Sequence, residues 1–179
     1  MLPVGLLMTE HRLIKRMISL MARELGKIKQ GQKADASFID SALDFLVTYA
    51  DKCHHGKEED ILFRDLKEKK LTPEHKRILE ELIKEHALGR GNVKKLSEAN
   101  DSYKRQNKKA LSAMEENLAI LAEFYPKHIE KEDKHFFLPV MDYFSKEEKD
   151  IMLKECHEFD QKLIHEKYRK IVSEIESNS

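Results

Sequence analysis

Apolar residues recur every three or four positions along five long segments of this 179-residue chain. This spacing is typical of helices with one apolar face. Glycine (6) and proline (4) are scarce, so few residues interrupt the segments. They cover about 3–30, 36–69, 73 to beyond 96, 111–139 and 145–176. We predict an all-α fold: an up-down-up-down four-helix bundle with an extra C-terminal fifth helix packed on one face or one end.

Local signals mark the start of two of these helices. Thr72 can cap the third helix, with Pro73 as its first residue. Ser145 and Glu148 have the spacing of a capping box at the start of the fifth helix. The apolar side of that helix is predicted to include Leu163.

The charge balance excludes several classes of partner. Lys and Arg together number 33, as do Asp and Glu, so we expect no nucleic-acid partner and no anionic membrane surface. No apolar run approaches the roughly 18 residues of a membrane span, and the start does not resemble a signal peptide. The two cysteines, Cys53 and Cys156, form no CxxC pair. We therefore expect a cytoplasmic protein in a reducing compartment.

Two stretches of the chain share an unusual pattern. "CHHGKEEDILF" covers 53–63, and "KHIEKEDKHFF" covers 127–137. Aligning His55 with His128 superposes Glu59 on Glu132, so His-x-x-x-Glu-Asp occurs twice. His11 and His86 are separated by a similar distance along the chain. The sequence therefore predicts two helix hairpins, each supplying a histidine and then a His-x-x-x-Glu pair.

These residues fall on faces that are otherwise apolar. One histidine on an apolar face usually has an ordinary hydrogen-bond partner, but several together are costly to bury unless a metal holds them. Residues four apart share a helix face, so each His-x-x-x-Glu pair can reach one point. We predict two metal ions bridged by Glu59 and Glu132, with six ligands in all: His11, His55, Glu59, His86, His128 and Glu132. Imidazole and carboxylate without thiolate favour two iron ions, with manganese or zinc as alternatives.

The choice between the adjacent histidines rests on helix geometry. At 100° per residue, nine positions amount to half a turn. His54 is nine positions from both Phe45 and Phe63. If both phenylalanines face the core, His54 faces water, so His55 is preferred as the partner of Glu59.

The segments "TEHRLI", "CHHGKEEDILF", "EHALGRG" and "YPKHIEKEDKHFFLP" together resemble the hemerythrin-like (HHE cation-binding) family. The resemblance covers about 7–142 and implies a four-helix bundle around a non-heme di-iron centre. By motif match, the ligand roles fall on the six residues given above. Residues 143–179 resemble the C-terminal extension of many prokaryotic single-domain members. We therefore expect a bundle at 1–142 and a helical extension at 143–179, packed on the same domain.

The third helix departs at one position from the oxygen-carrying members of that family. The carriers have a second histidine one turn after the third-helix histidine, where this chain has Arg90. They use five histidines and two carboxylates, and this chain matches four and two. The difference argues against reversible O2 carriage and suits peroxide or NO chemistry, O2 sensing or iron sensing. We predict a protein that binds or senses O2, NO or iron at the centre. Two alternatives stay open: an enzyme that decomposes peroxide or reduces NO or O2, and a metal-free structural bundle.

Four further residues have two readings each. Glu58 is more simply a solvated surface residue than an added ligand. Tyr125 is either a core residue or a hydrogen-bond donor to a small molecule bound at the centre. His165 and Tyr168 either cover the mouth of the site or belong to a plain amphipathic helix. A protein partner is not indicated.

Overall fold

The computed structural model describes residues 1–31, 33–160 and 162–178, without the side chains of 162, 163 and 166. The described residues form six long helices and no strand, which confirms the all-α prediction. None of these helices is long and apolar enough to cross a membrane. The helices are α1 (Pro3–Lys29), α2 (36–67), α3 (Pro73–Lys104), α4 (110–140), α5 (Lys146–Phe159) and α6 (Lys162–Ser177).

Two of the four bundle helices contain π-helical turns. In α2 these turns cover Phe45–His55 and Glu58–Phe63, and in α4 they cover Glu132–Phe136. A π-helix bonds each N–H to the fifth preceding carbonyl, so each residue advances by less than the 100° of an α-helix. Directions calculated with α-helical geometry are therefore displaced beyond each π segment. All three segments include or adjoin residues of the predicted metal site.

The bundle is assembled through α4, which packs against both α1 and α3, while α2 packs against α3. The predicted cap of α3 is present, because the Thr72 hydroxyl accepts a hydrogen bond from the His75 N–H at 3.2 Å. Ser145 and Glu148 form the predicted capping box at the start of α5. These caps satisfy N–H groups that a helix start leaves without partners.

The interior of the bundle is divided into two apolar clusters. One contains Ile14, Met21 and Leu118. The other contains Leu7, Phe63 and Phe136, with Met152 and Cys156 of α5. Leu7, His11 and Ile14 follow one another on the buried face of α1, so His11 lies between an apolar residue of each cluster. A polar layer therefore separates the two clusters in the middle of the bundle.

The C-terminal extension consists of two helices, where the sequence predicted one continuous helix. Asp160 follows α5 with extended backbone (φ −75°, ψ 108°), and α6 begins at Lys162. Tyr168 is fully buried and packs edge-on against the rings of Phe45 and Tyr49, with centroids 5.5 and 5.9 Å away. The extension thus rests on α2. The predicted apolar contact of Leu163 lies outside the described side chains, and the division at residue 142 stays a prediction.

We expect Tyr168→Ala to lower the free energy of unfolding by about 3 kcal/mol, because it leaves a cavity under a fully buried aromatic ring. Chemical denaturation followed by circular dichroism measures the loss. Lys170→Ala, at an exposed position of the same helix, is the control and should change stability by less than about 0.5 kcal/mol. An unchanged global transition in Tyr168→Ala would show that the extension folds apart from the bundle.

Candidate metal centre

Seven buried side chains converge in the polar layer of the bundle. Each is at most 3% exposed. Their donor atoms form two groups, and within each group the atoms lie within 4.8 Å of one another. The first group is His11, His54, Glu58 and Glu132, and the second is His55, His86 and His128.

Two carboxylates connect the two groups. Glu58 and Glu132 are both fully buried, and each directs one oxygen towards each group. The nearest contacts are His54 Nε2–Glu58 Oε1 (3.5 Å), His86 Nε2–Glu58 Oε2 (3.3 Å), His11 Nε2–Glu132 Oε2 (3.2 Å) and His128 Nε2–Glu132 Oε1 (3.1 Å). This is the arrangement expected of carboxylates that span two neighbouring positions.

Every imidazole is oriented by a carboxylate on its outer side. The Nδ1 contacts are His11–Asp133 (2.7 Å), His54–Glu10 (2.7 Å), His86–Glu59 (2.6 Å), His128–Glu85 (2.8 Å) and His55–Asp51 (3.3 Å). An Nδ1–H that donates to a carboxylate leaves the Nε2 lone pair of a neutral imidazole facing inward. Metal-binding histidines are held in this way.

The inward atoms lack hydrogen-bond partners among the described residues. They are Nε2 of His11, His86 and His128 and both oxygens of Glu58 and of Glu132. A buried polar atom without a partner costs about 1–3 kcal/mol, and more when it is charged. Seven such atoms that converge on one small volume fit a metal centre with nitrogen and oxygen ligands.

The sequence model of the Hemerythrin HHE cation binding domain matches residues 2–138. The chain belongs to this family. No curated protein and no solved structure shows a significant match. Cation binding is the property that gives the domain its name, and the buried histidines and carboxylates of this HHE domain fit it.

Five of the six predicted ligands lie in the convergent cluster, and Glu59 does not. Its side chain is 30% exposed, and its Oε1 contacts Nδ1 of His86 and Nη2 of Arg90. Glu58, expected on the surface, occupies the inner position instead. Glu59 therefore orients an imidazole in this structure, and its predicted inward position is corrected, because Glu58 is the inward residue.

The expectation that His54 faces water is also wrong, since His54 is 1% exposed. The cause is the π-helical turn over Phe45–His55, which invalidates the 100° per residue used to orient this stretch. Both adjacent histidines point inward as a result. His55 stacks on His86, with ring centroids 4.0 Å apart.

With His54 and Glu58 as the inward residues, the two hairpins match each other more closely than they did when His55 was aligned with His128. Residues of the first hairpin recur 74 or 75 positions later with the same roles. The pairs are Glu10 and Glu85, His11 and His86, His54 and His128, Glu58 and Glu132, and Glu59 and Asp133. His55 is the exception, because its counterpart is the apolar Ile129. The centre therefore has approximate twofold symmetry, with the imidazole of His55 as an addition on one side.

Arg90 stands where the oxygen carriers have their extra histidine, and it supports two imidazoles from outside. Its Nε contacts Asp51 at 2.7 Å, and its Nη2 contacts Glu59 at 2.8 Å. Those two carboxylates hold Nδ1 of His55 and of His86. The fifth imidazole of this HHE domain comes from α2, one residue after His54, and not from α3.

Support for His54 extends to the C-terminal helices, which sequence reasoning did not find. Lys57 is fully buried and forms ion pairs with Glu10 and Asp160. Glu10 holds Nδ1 of His54, and Asp160 ends α5. The repeated Glu-His dipeptides at 10–11 and 85–86 were the available signal for the outer carboxylates.

The five imidazoles divide by pKa in the metal-free protein. Burial lowers the pKa of each one. Neighbouring carboxylates outweigh burial at His11 and His128, whose pKa values are raised to about 9, and at His86, where the pKa is raised to about 11. Burial dominates at His54, with a pKa of about 3, and it keeps the pKa of His55 well below 6.5.

We expect Glu58→Gln to remove two-metal binding and Glu59→Gln to leave it in place with affinity reduced about 10- to 100-fold, the usual effect of losing an outer carboxylate. Titration with Co²⁺ followed by its visible absorption measures both stoichiometry and affinity. The two substitutions are chemically identical and adjacent, so each controls for the other. The opposite order of effects would restore Glu59 as the bridging residue.

The metal affinity should keep rising with pH to about 9 and beyond. A metal displaces the proton from Nε2, and three of the imidazoles hold that proton well above the usual histidine pKa of 6.5. Raised pKa values mean stronger proton competition as the pH falls from about 9. Competition with a chelator from pH 6 to pH 9.5 tests this, and an affinity that is already constant above pH 7 would contradict it.

Proposed function

We propose that this HHE domain is a non-heme di-iron protein that binds or senses a small ligand such as O2 or NO. The observation that supports this most directly is the set of inward donor atoms. Three imidazole nitrogens and four carboxylate oxygens are buried without hydrogen-bond partners among the described residues, and all five imidazoles are already oriented by outer carboxylates. Such an arrangement is costly in a protein that binds nothing there.

The distribution of donors supports two metal positions. His11 and His54 would serve one position, and His55, His86 and His128 the other. Glu58 and Glu132 each face both with a separate oxygen. This set of donors suits two metal positions better than a single one. With two positions, Glu58 and Glu132 would each use both of their oxygens.

The number of donors leaves room for a ligand. Two imidazoles with two carboxylate oxygens would serve one position, and three imidazoles with two oxygens the other. Both totals are below the six of an octahedral centre. Iron bound here would supply a redox-active centre that O2, NO or peroxide can approach. The donor set contains no thiolate, which favours iron or manganese over a structural zinc site.

The seven-residue cluster also changes the comparison with the oxygen carriers. From the sequence, four histidines and two carboxylates were matched, and that count argued against reversible O2 binding. The structure gathers five histidines and two carboxylates, the number found in the carriers, and His54 is the histidine that the sequence match had left out. Ligand binding is therefore favoured over turnover, and peroxide decomposition is the alternative that the experiment must separate.

The test is to load the metal-free protein anaerobically with Fe²⁺ and measure bound iron. We expect about two irons per chain, a rise in melting temperature, and spectral changes with O2 or NO that reverse when the gas is removed. A parallel assay follows hydrogen peroxide with an oxygen electrode. Sustained consumption of peroxide would favour the enzyme, and absence of iron binding with unchanged stability would favour the structural bundle.

Matched histidine variants locate the effect. His55→Ala should lose iron from the three-imidazole position and abolish the reversible response to O2. His135→Ala removes an exposed histidine that lies outside the cluster, and it should behave as wild type. If both variants respond alike, the reversible signal does not come from this centre.

A further inference from the structure

A second feature beside the metal centre is a cavity of about 560 Å³ that opens at the surface between α2 and α3. This volume lies within the ~300–1,000 Å³ typical of small-molecule sites. Its apolar walls come from Leu43, Leu46, Val47 and Val93. Its inner end reaches His55 and Tyr125, so a molecule in the cavity would lie against the imidazole that has no counterpart in the other hairpin.

The charged residues at the inner part of the cavity are already paired. Asp51 pairs with Arg90 at 2.7 Å, and Asp44 accepts a hydrogen bond from the Tyr168 hydroxyl at 2.5 Å. Lys94 and Glu98 lie 4.0 Å apart at exposed positions of the rim. Beside His55 and Tyr125 a charged ligand would find no unpaired opposite charge, and it would lose its hydration on entry. The cavity therefore suits a neutral molecule.

The hydroxyl of Tyr125 is a polar group in the cavity wall. The Tyr125 side chain is 2% exposed, and its hydroxyl forms no hydrogen bond with the part of the chain that the structure describes. The charges of Asp51 and Arg90, which also line the cavity, act on this hydroxyl. Burial raises the pKa of Tyr125, so the hydroxyl keeps its proton and is available as a donor. A buried hydroxyl normally finds an acceptor.

We propose that this cavity binds a small neutral organic molecule with an apolar body and one hydrogen-bond-accepting oxygen, which Tyr125 receives beside the metal centre. The apolar walls bury the body of the ligand, and the paired charges reject ions. Because the walls and the hydroxyl are formed by side chains alone, binding does not require a metal. The proposal therefore goes beyond the di-iron function and can fail or succeed separately from it.

Three probes of similar size and different charge test the proposal: benzyl alcohol, benzoate and benzylammonium. Isothermal titration and ligand-observed nuclear magnetic resonance are run on metal-free protein and on iron-loaded protein. We expect benzyl alcohol to bind saturably in both forms, at least tenfold more tightly than either ion. Equal affinity for the ions, or no saturable binding of the alcohol to either form, would overturn the proposal.

Two variants assign the binding to the cavity. Tyr125→Phe removes only the hydroxyl and should weaken benzyl alcohol about threefold to tenfold, the range of one neutral hydrogen bond. Val47→Trp fills the mouth from a position that is 40% exposed, and it should weaken binding more than tenfold. Leu88→Trp adds the same ring at a 56% exposed position outside the cavity and should bind as wild type.

The tryptophan variants carry their own control, because the natural chain contains no tryptophan. The emission of Val47→Trp should respond to its apolar surroundings, and circular dichroism reports whether the variant folds. If it does not fold, Tyr125→Phe decides. Wild-type affinity in Tyr125→Phe, or in a folded Val47→Trp, would place the probe elsewhere and overturn the assignment.

Discussion

Two buried carboxylates, Glu58 and Glu132, are the constraint on which the rest of the structure depends. Neither finds a hydrogen-bond partner among the described residues, and both lie in the middle of an apolar bundle. Charges in such a place need opposite charge close by. In the metal-free protein the imidazoles of raised pKa can supply it as protons, and in the metal-loaded protein the cations would. The five inward imidazoles and their outer carboxylates follow from this requirement.

The support around this centre is wider than the four-helix bundle. Glu10 holds His54, Lys57 holds Glu10, and Asp160 at the end of α5 holds Lys57. On the opposite side, Arg90 holds the carboxylates that orient His55 and His86. The C-terminal extension is thus connected to one half of the centre and α3 to the other. Outer contacts of this kind fix the direction of a ligand, which an imidazole on a flexible side chain does not fix by itself.

The sequence was sufficient for the helices, the bundle and most of the histidines, because apolar spacing of three or four residues is a strong and local signal. It was insufficient for the register around His54 and His55. A π-helical turn depends on packing between helices, and the local residue types do not predict it. One residue of register decided whether Glu58 or Glu59 faces the interior. The repeat of Glu10 and Glu85 is visible in the sequence. Their role cannot be inferred until the positions of the imidazoles that they contact are known.

The position of the polar layer has a consequence for folding cooperativity. It separates the apolar cluster around Ile14 from the cluster around Phe63, so few apolar contacts pass between the two ends of the molecule. Bound metal would join ligands from all four bundle helices at this boundary. The loaded protein should then unfold as one unit, and the metal-free protein should allow each end to open more independently. Metal binding at the centre would therefore make both ends of the bundle open less often, including the surface where the C-terminal helices pack.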